Sequence, residues 1–202
     1  MSPAARRCLI LPGWQDSGPS HWQSRWQARH GWERVEQADW HWPRRGDWMA
    51  RLDEVVLQDP RPTVLVAHSL GCLLVSAWAA HSAHTGRICA ALLVAPADTE
   101  RADTPPQLHQ WRPIVRGRLP FPSRVIASSD DPCCDVDRGR QLALDWGAGW
   151  VLAGPAGHLN GASGLADWPF GETELHALLD PAGTSPAPQP LPSIDRSTAS
   201  RP

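Results

Sequence analysis

A serine stands at the junction of a β-rich run and a helical apolar pattern in the segment Val64–Cys72 (VLVAHSLGC). A sharp strand-to-helix turn lifts such a hydroxyl off the sheet, and small residues two positions to either side let the strand and the helix approach each other. These positions hold Ala67 and Gly71, where the usual G-x-S-x-G pattern has two glycines. The pattern predicts that Ser69 is a nucleophile and that the backbone N–H of Leu70 faces the oxyanion formed during attack on a carbonyl. A serine that merely caps a helix is the alternative.

A serine hydroxyl needs a base and a carboxylate that orients the base. In a strand-and-helix fold with this kind of turn, the acid and then the histidine follow the serine, each on a loop after a later strand. Asp131 comes after the predicted strand Arg124–Ser128, and His158 lies on a glycine-flanked loop after the last strand. Asp131 is preferred because a residue before proline is held extended, which fixes its direction. Asp130 remains the alternative.

The loop after the first strand is the candidate for a second oxyanion donor. Its sequence is Pro12-Gly-Trp-Gln-Asp-Ser-Gly18, and a loop that leaves the sheet at this point can offer a backbone N–H to the oxyanion. We predict that Trp14 supplies this N–H, with Gln15 as the alternative donor. A plain strand-to-helix turn is the non-catalytic interpretation.

Alternating apolar runs and helical patterns predict the elements that position these residues. The predicted strands are Arg7–Leu11, Arg34–Trp40, Thr63–Ala67, Ile88–Ala95, Arg124–Ser128 and Trp150–Ala153, and the predicted helices are Ser20–His30, Asp47–Leu57, Leu70–His81, Val136–Trp146 and Glu172–Leu179. Strands and helices that alternate in this way indicate an α/β fold, namely a doubly wound, mostly parallel six-stranded sheet with helices on both faces. Functional loops then lie beyond the carboxyl ends of the strands.

Length and composition favour one globular domain over residues 1–180. Residues 181–202 are rich in Pro, Ser and Ala, and we expect a disordered tail there. The net charge of −2 gives no field that would attract nucleic acid or an anionic membrane. The five cysteines include no C-x-x-C pair, so we expect a reducing, cytoplasmic location, no metal site and no cofactor.

Two further features bear on the substrate. The chain has 12 tryptophans, and we interpret most of them as packing residues; an aromatic acyl pocket is the alternative, and Trp14 is the exception because it lies beside the chemistry. The stretch Pro96–Pro122 is the candidate lid, and it is too short for a large helical cap. We therefore expect an open site that favours small acyl groups.

Four segments of the chain resemble one family of compact serine hydrolases. They are LILPGWQDSGPSHWQ, VAHSLGC, SSDDP and GHLNGASGLADWP, and the resemblance runs from Cys8 to Leu179. The family is that of the proteins related to retinoblastoma-binding protein nine and the bacterial YdeN-like proteins. The resemblance implies a six-stranded α/β-hydrolase fold with a minimal lid and a catalytic triad on Ser69, Asp131 and His158. The chain has no Leu-x-Cys-x-Glu segment, so binding of a pocket protein is not carried over.

These observations predict an enzyme that cleaves a small ester, amide or thioester through an acyl-serine intermediate, with a carboxylesterase as the nearest type. The different class that stays open is a catalytically silent module of the same fold that binds proteins. The expected partner is a small acyl substrate, and the sequence does not indicate an oligomeric state.

Overall fold

The computed structural model describes residues 6–180. Six parallel strands form one sheet in the order β2-β1-β3-β4-β5-β6. The strands are β1 Arg7–Leu11, β2 Glu33–Arg34, β3 Thr63–His68, β4 Ile88–Val94, β5 Ser123–Ala127 and β6 Gly149–Leu152, and the helices are α1 Trp22–His30, α2 Arg45–Leu57, α3 Leu70–Ala79, α4 Val136–Trp146 and α5 Pro169–Leu179. The predicted fold class is confirmed. The tail predicted for residues 181–202 lies outside the described residues.

The strands are apolar on both sides because helices cover both faces of the sheet. In β3, Leu65 and Ala67 pack with α2, α3 and α4, whereas Val64 and Val66 pack with α1 and α5. Successive side chains of a strand point to opposite faces, so the continuous run TVLVA serves two cores at once. This central strand ends at His68, so the next residue, Ser69, lies at the carboxyl edge of the sheet.

The predicted strand Arg34–Trp40 is wrong over most of its length, since β2 comprises only Glu33–Arg34. The N–H of Val35 still donates to Ile10 on β1, at 2.9 Å, but the chain then leaves the sheet. Oδ1 of Asp39 accepts the second and third backbone N–H groups after it along the chain, which closes a turn at the end of the predicted strand. Backbone groups that are hydrogen-bonded within a local turn are not available to pair with a neighbouring strand of the sheet.

Three helix starts also differ from the prediction, and α2 begins at Arg45 instead of Asp47. Helix α1 begins at Trp22 because the ring Nδ1 of His21 accepts the N–H of Gln23 at 3.1 Å, so the histidine acts as the N-cap. Helix α5 begins at Pro169 instead of Glu172, since proline fits the first position of a helix, where its missing N–H costs nothing.

Tryptophan fills much of the interior. Six tryptophans are fully buried, namely Trp22, Trp26, Trp48, Trp78, Trp111 and Trp146. The stretch 96–122, predicted as a lid, packs Leu108, Trp111 and Ile114 into the core beside α2 and α3. It forms a wall of the domain instead of a separate cap. No helix within residues 6–180 combines the length and apolarity that a membrane crossing needs.

Candidate active site

The backbone at Ser69 is strained, with φ at 54° and ψ at −117°. Residues other than glycine rarely adopt these backbone angles, and such strain persists only where the surrounding structure holds it. The Ser69 N–H donates to Val94 at the end of β4, and its carbonyl accepts the Cys72 N–H at 3.0 Å. These two bonds fix the turn from both sides and hold the serine side chain above the sheet.

Small residues make room for this turn. A Cβ on Gly71 would lie 2.4 Å from the carbonyl oxygen of Leu11, and a Cβ on Gly13 would lie 2.8 Å from the Cβ of Ser69. Ala67, the departure from the usual pattern, is fully buried, and its methyl group packs into the core beside α3. The turn therefore needs the glycine on the helix side, whereas the strand side accommodates alanine.

Ser69, His158 and Asp131 form a continuous chain of hydrogen bonds. The Ser69 Oγ lies 2.8 Å from Nε2 of His158, and both Asp131 carboxylate oxygens lie 2.9 Å from Nδ1. The carboxylate can only accept, so Nδ1 carries a proton, and in the neutral imidazole Nε2 is left to accept the serine hydroxyl. The side chain of His158 is 11% exposed and that of Asp131 is 2% exposed. The contacts thus occur largely out of water, where charge interactions are strong.

The electrostatic environment favours a protonated His158. Burial by itself lowers the pKa of this imidazole, but the carboxylate of Asp131, followed by the side chain of Cys133, outweighs burial and raises the pKa to about 9. The site is therefore arranged to stabilise an imidazolium, the form that a base takes after it has removed a proton.

The two neighbouring aspartates have different contacts. Asp131 faces His158, whereas Asp130 accepts the N–H groups of Ala156 and Gly157, both at 2.8 Å. Asp130 also accepts the hydroxyl of Ser128, and that bond, followed by the bond from Gly157, lowers its pKa. The structure therefore places Asp131 in the hydrogen-bond chain and Asp130 at the base of the histidine loop.

The two candidate oxyanion donors are also distinguished by their contacts. The N–H of Gln15 donates to Trp40 at 3.0 Å and is not available to a ligand. Within residues 6–180, the N–H groups of Trp14 and Leu70 donate to no other residue. Both residues line a cavity of about 380 Å³ together with Ser69 and His158. Trp14 and Leu70 thus have the free amides that an oxyanion site requires.

The walls of this cavity come mostly from the loops after β4 and β5. The other lining residues are Gln15, Ala97, Asp98, Thr99, Arg101, Asp103, Thr104, Pro105, Leu108, Pro132, Cys133 and Asn160. Its charged side chains are paired, since Arg101 binds Asp103 and Arg138 binds Asp98. An uncharged ligand of modest size therefore meets no unpaired charge on the described walls.

Comparison with known proteins now identifies the family. Residues 8–177 match the family described as serine hydrolases. The chain belongs to the serine hydrolase family. A search of curated protein sequences finds no match to this serine hydrolase.

Solved structures agree with this assignment. A protein described as a YdeN-like hydrolase from Pectobacterium atrosepticum is 27% identical, with a TM-score of 0.75 over 86% of this chain and 90% of its own. The ydeN gene product of B. subtilis is 22% identical, with a TM-score of 0.67 over 87% of this chain and 100% of its own. The esterase RhEst1 from a Rhodococcus species is 13% identical and shares the fold, with a TM-score of 0.59 over 90% of each chain. The predicted relation to YdeN-like proteins is confirmed, and the fold and family support a hydrolase.

Two polar residues that support the site of this serine hydrolase were missed by the sequence prediction. His68, adjacent to Ser69 along the chain, donates from Nε2 to the carbonyl oxygen of His158 at 2.9 Å. Gln23 is fully buried and donates to the carbonyls of Leu11 and Val66, at 3.2 and 3.0 Å. The sequence signal that could have revealed Gln23 is its position next to Trp22 on the buried face of α1, where a polar residue is unusual.

The buried histidines next to the site are neutral. Burial, followed by the neighbouring charges of Arg34 and His158, lowers the pKa of His21 to about 3. Burial also holds the pKa of His68 well below its usual range. Neither group adds positive charge beside His158 near neutral pH.

Proposed function

We propose that this serine hydrolase cleaves a small ester, amide or thioester through an acyl-serine intermediate on Ser69. The observation that carries the proposal is the hydrogen-bond chain from Ser69 through His158 to Asp131. This arrangement of nucleophile, base and orienting carboxylate recurs on unrelated folds that perform acyl transfer.

The steps follow from the atoms that face each other. Nε2 of His158 takes the hydroxyl proton as the Ser69 oxygen attacks the carbonyl carbon, and Asp131 stabilises the imidazolium that forms. The oxyanion accepts the free N–H groups of Leu70 and Trp14. His158 then gives its proton to the leaving group, which departs and leaves an acyl-serine. Water, deprotonated by His158, attacks the acyl carbon and restores the serine hydroxyl.

The size and polarity of the cavity support a small acyl group. A volume of about 380 Å³ lies at the lower end of the range for pockets that hold small molecules. Its charged side chains are paired, which favours neutral substrates such as carboxylesters. The segment 96–122 packs against the core and leaves the cavity open, so we do not propose a long lipid chain as substrate.

The proposal involves no nucleic acid or membrane partner and no catalytic cofactor. The net charge of −2 supports the first part, because it provides no attraction to a polyanion. We also propose a cytoplasmic location, supported by five unpaired cysteines among the described residues.

A fluorophosphonate that labels activated serines, together with an activated short-chain ester, tests the proposal. Ser69→Ala should abolish labelling and lower turnover of the ester roughly 10⁴-fold or more, because it removes the nucleophile. Ser129→Ala is the matched control, since it removes an exposed hydroxyl that has no contact with His158, and it should leave both signals unchanged. An inert Ser69 in the folded protein would favour a catalytically silent binding module.

A further inference from the structure

A thiol lies beside the proposed catalytic pair. One ligand atom each from Asp131, Cys133 and His158 falls within 4.8 Å of the other two. The backbone supports this cluster, because the N–H of Cys133 donates to Oδ1 of Asp131 at 2.8 Å. Cys133 is partly exposed and lines the active-site cavity, so the cluster is open to a small ion from solvent.

These three atom types suit one class of ion. A thiolate sulfur, an imidazole nitrogen and a carboxylate oxygen are the ligands that Zn²⁺ prefers, and three protein ligands leave its fourth position for water. Mg²⁺ and Ca²⁺ prefer sites built from oxygen atoms and are poorly served by a thiol. The sequence predicted no metal site because the ligands lie on two loops distant along the chain. The fold brings those loops together.

We propose that Asp131, Cys133 and His158 form an inhibitory site for Zn²⁺ or a similar borderline-soft divalent cation. The binding of the ion follows from the ligand set alone, whereas the inhibition rests on the proposed function of His158 as the base.

Inhibition follows from which nitrogen of the imidazole carries the proton. Nδ1 is the nitrogen that faces Asp131, and in the neutral form that acts as the base it carries the proton while Nε2 accepts from Ser69. A cation on Nδ1 displaces that proton. The neutral imidazole then carries its one proton on Nε2, and the thiol of Cys133 releases its proton to solvent. Nε2 is now a donor and cannot take the proton of Ser69, so attack on the substrate stops.

The local charges and neighbouring thiols agree with this assignment. Arg101, which lines the same cavity, is paired with the carboxylate of Asp103. Cys134, the adjacent thiol, is buried. Cys133 is therefore the thiol of this turn that solvent and a cation can reach.

Cobalt(II) is the probe for binding, because a thiolate ligand gives it a charge-transfer absorption band in the near ultraviolet. The full chain should show this band, and Cys133→Ser should abolish it. Cys89→Ser is the matched control, since it removes another partly exposed thiol, on β4, and should retain the band. Ser69→Ala should also retain it because the serine is not a ligand. Circular dichroism checks that each variant is folded.

Inhibition is measured as the Zn²⁺ concentration that halves ester turnover, relative to the uninhibited rate of each variant. Cys133→Ser removes one ligand and should raise this concentration roughly 100-fold or more. Mutation of residues that only hydrogen-bond to a metal ligand already lowers metal affinity about 10- to 100-fold. Chelation should restore the rate. In the unmutated chain, Zn²⁺ should also protect Cys133 from alkylation, as measured by mass spectrometry. This measurement does not depend on whether any variant folds.

The two proposals fail separately. A wild-type chain without the cobalt band and without protection of Cys133, or a band that survives Cys133→Ser, overturns the metal site. A band that depends on Cys133 in a chain without hydrolase activity supports the metal site and contradicts the proposed function. An active enzyme that binds cobalt through Cys133 but is insensitive to Zn²⁺ overturns the inhibitory role.

Discussion

Asp131→Asn removes one charge from the site while keeping the shape of the side chain. The carboxylate lies 2.9 Å from Nδ1 of His158, and two unit charges about 4 Å apart interact by about 4 kcal/mol at an effective dielectric constant of about 20. The rise in the pKa of His158 from 6.5 to about 9 is the net result after burial has opposed it. This rise in pKa corresponds to about 3 kcal/mol of imidazolium stabilisation. That value agrees with the attraction of about 4 kcal/mol to the carboxylate, reduced by the cost of burying the imidazolium.

Two measurable effects follow from this substitution. The base acts only when neutral, so kcat/KM falls as pH drops below the pKa of His158, and the raised pKa places this acidic limb above pH 6.5. In Asp131→Asn the imidazolium loses its partner while burial remains, so the limb should move to lower pH. An amide N–H that faces the ring also favours the proton on Nε2, and kcat/KM on the plateau should fall roughly 10⁴-fold.

The assay is the pH profile of kcat/KM for an activated ester, between about pH 5 and pH 10. Asp130→Asn is the matched control, because Asp130 contacts the amides of Ala156 and Gly157 and has no bond to the imidazole. Its acidic limb should stay with that of the unmutated enzyme. A limb that does not move in Asp131→Asn, or a loss of rate below about tenfold, would refute the reasoning.

Two further substitutions test the support of the site. Gln23→Leu removes the amide donor from the buried carbonyls of Leu11 and Val66, so the free energy of unfolding in urea should fall by about 2–4 kcal/mol, and a loss below about 1 kcal/mol would contradict this account. Gly71→Ala forces a Cβ to 2.4 Å from the Leu11 carbonyl, so it should cost about 1–3 kcal/mol and reduce fluorophosphonate labelling. Gly46→Ala on α2, where a Cβ has open space, is the control that should retain full labelling.

The sheet could be predicted where a run of apolar residues has a clear stop. The strand Arg7–Leu11 matches its prediction because Pro12 and a following glycine end it, and helix Val136–Trp146 matches because its apolar spacing is regular. The second strand failed because the pairing of so short an edge segment depends on distant partners. The amide of Gln15, for example, bonds to Trp40, a contact that no local pattern reveals.

The candidate nucleophile, base and acid could be picked out because the fold fixes their order and each follows a recognisable strand. The preference for Asp131 over Asp130 used a local rule about residues before proline, and the structure places Asp131 against His158. The contact of His68 with the histidine loop could not be found in this way. It joins residues that are adjacent in space and far apart along the chain.

The start of α1 explains why polar groups are buried so close to the core. Gln23 binds the carbonyls at the carboxyl ends of β1 and β3, and its Oε1 accepts the hydroxyl of Ser17 on the candidate oxyanion loop. Trp22 donates its indole N–H to Leu159, next to the histidine, at 2.8 Å. A buried amide is costly unless every polar atom is paired, and here the pairing partners are the segments that carry the site. One helical turn therefore fixes the serine turn, the candidate oxyanion loop and the histidine loop relative to one another, which is the rigidity that a preorganised hydrolytic site requires.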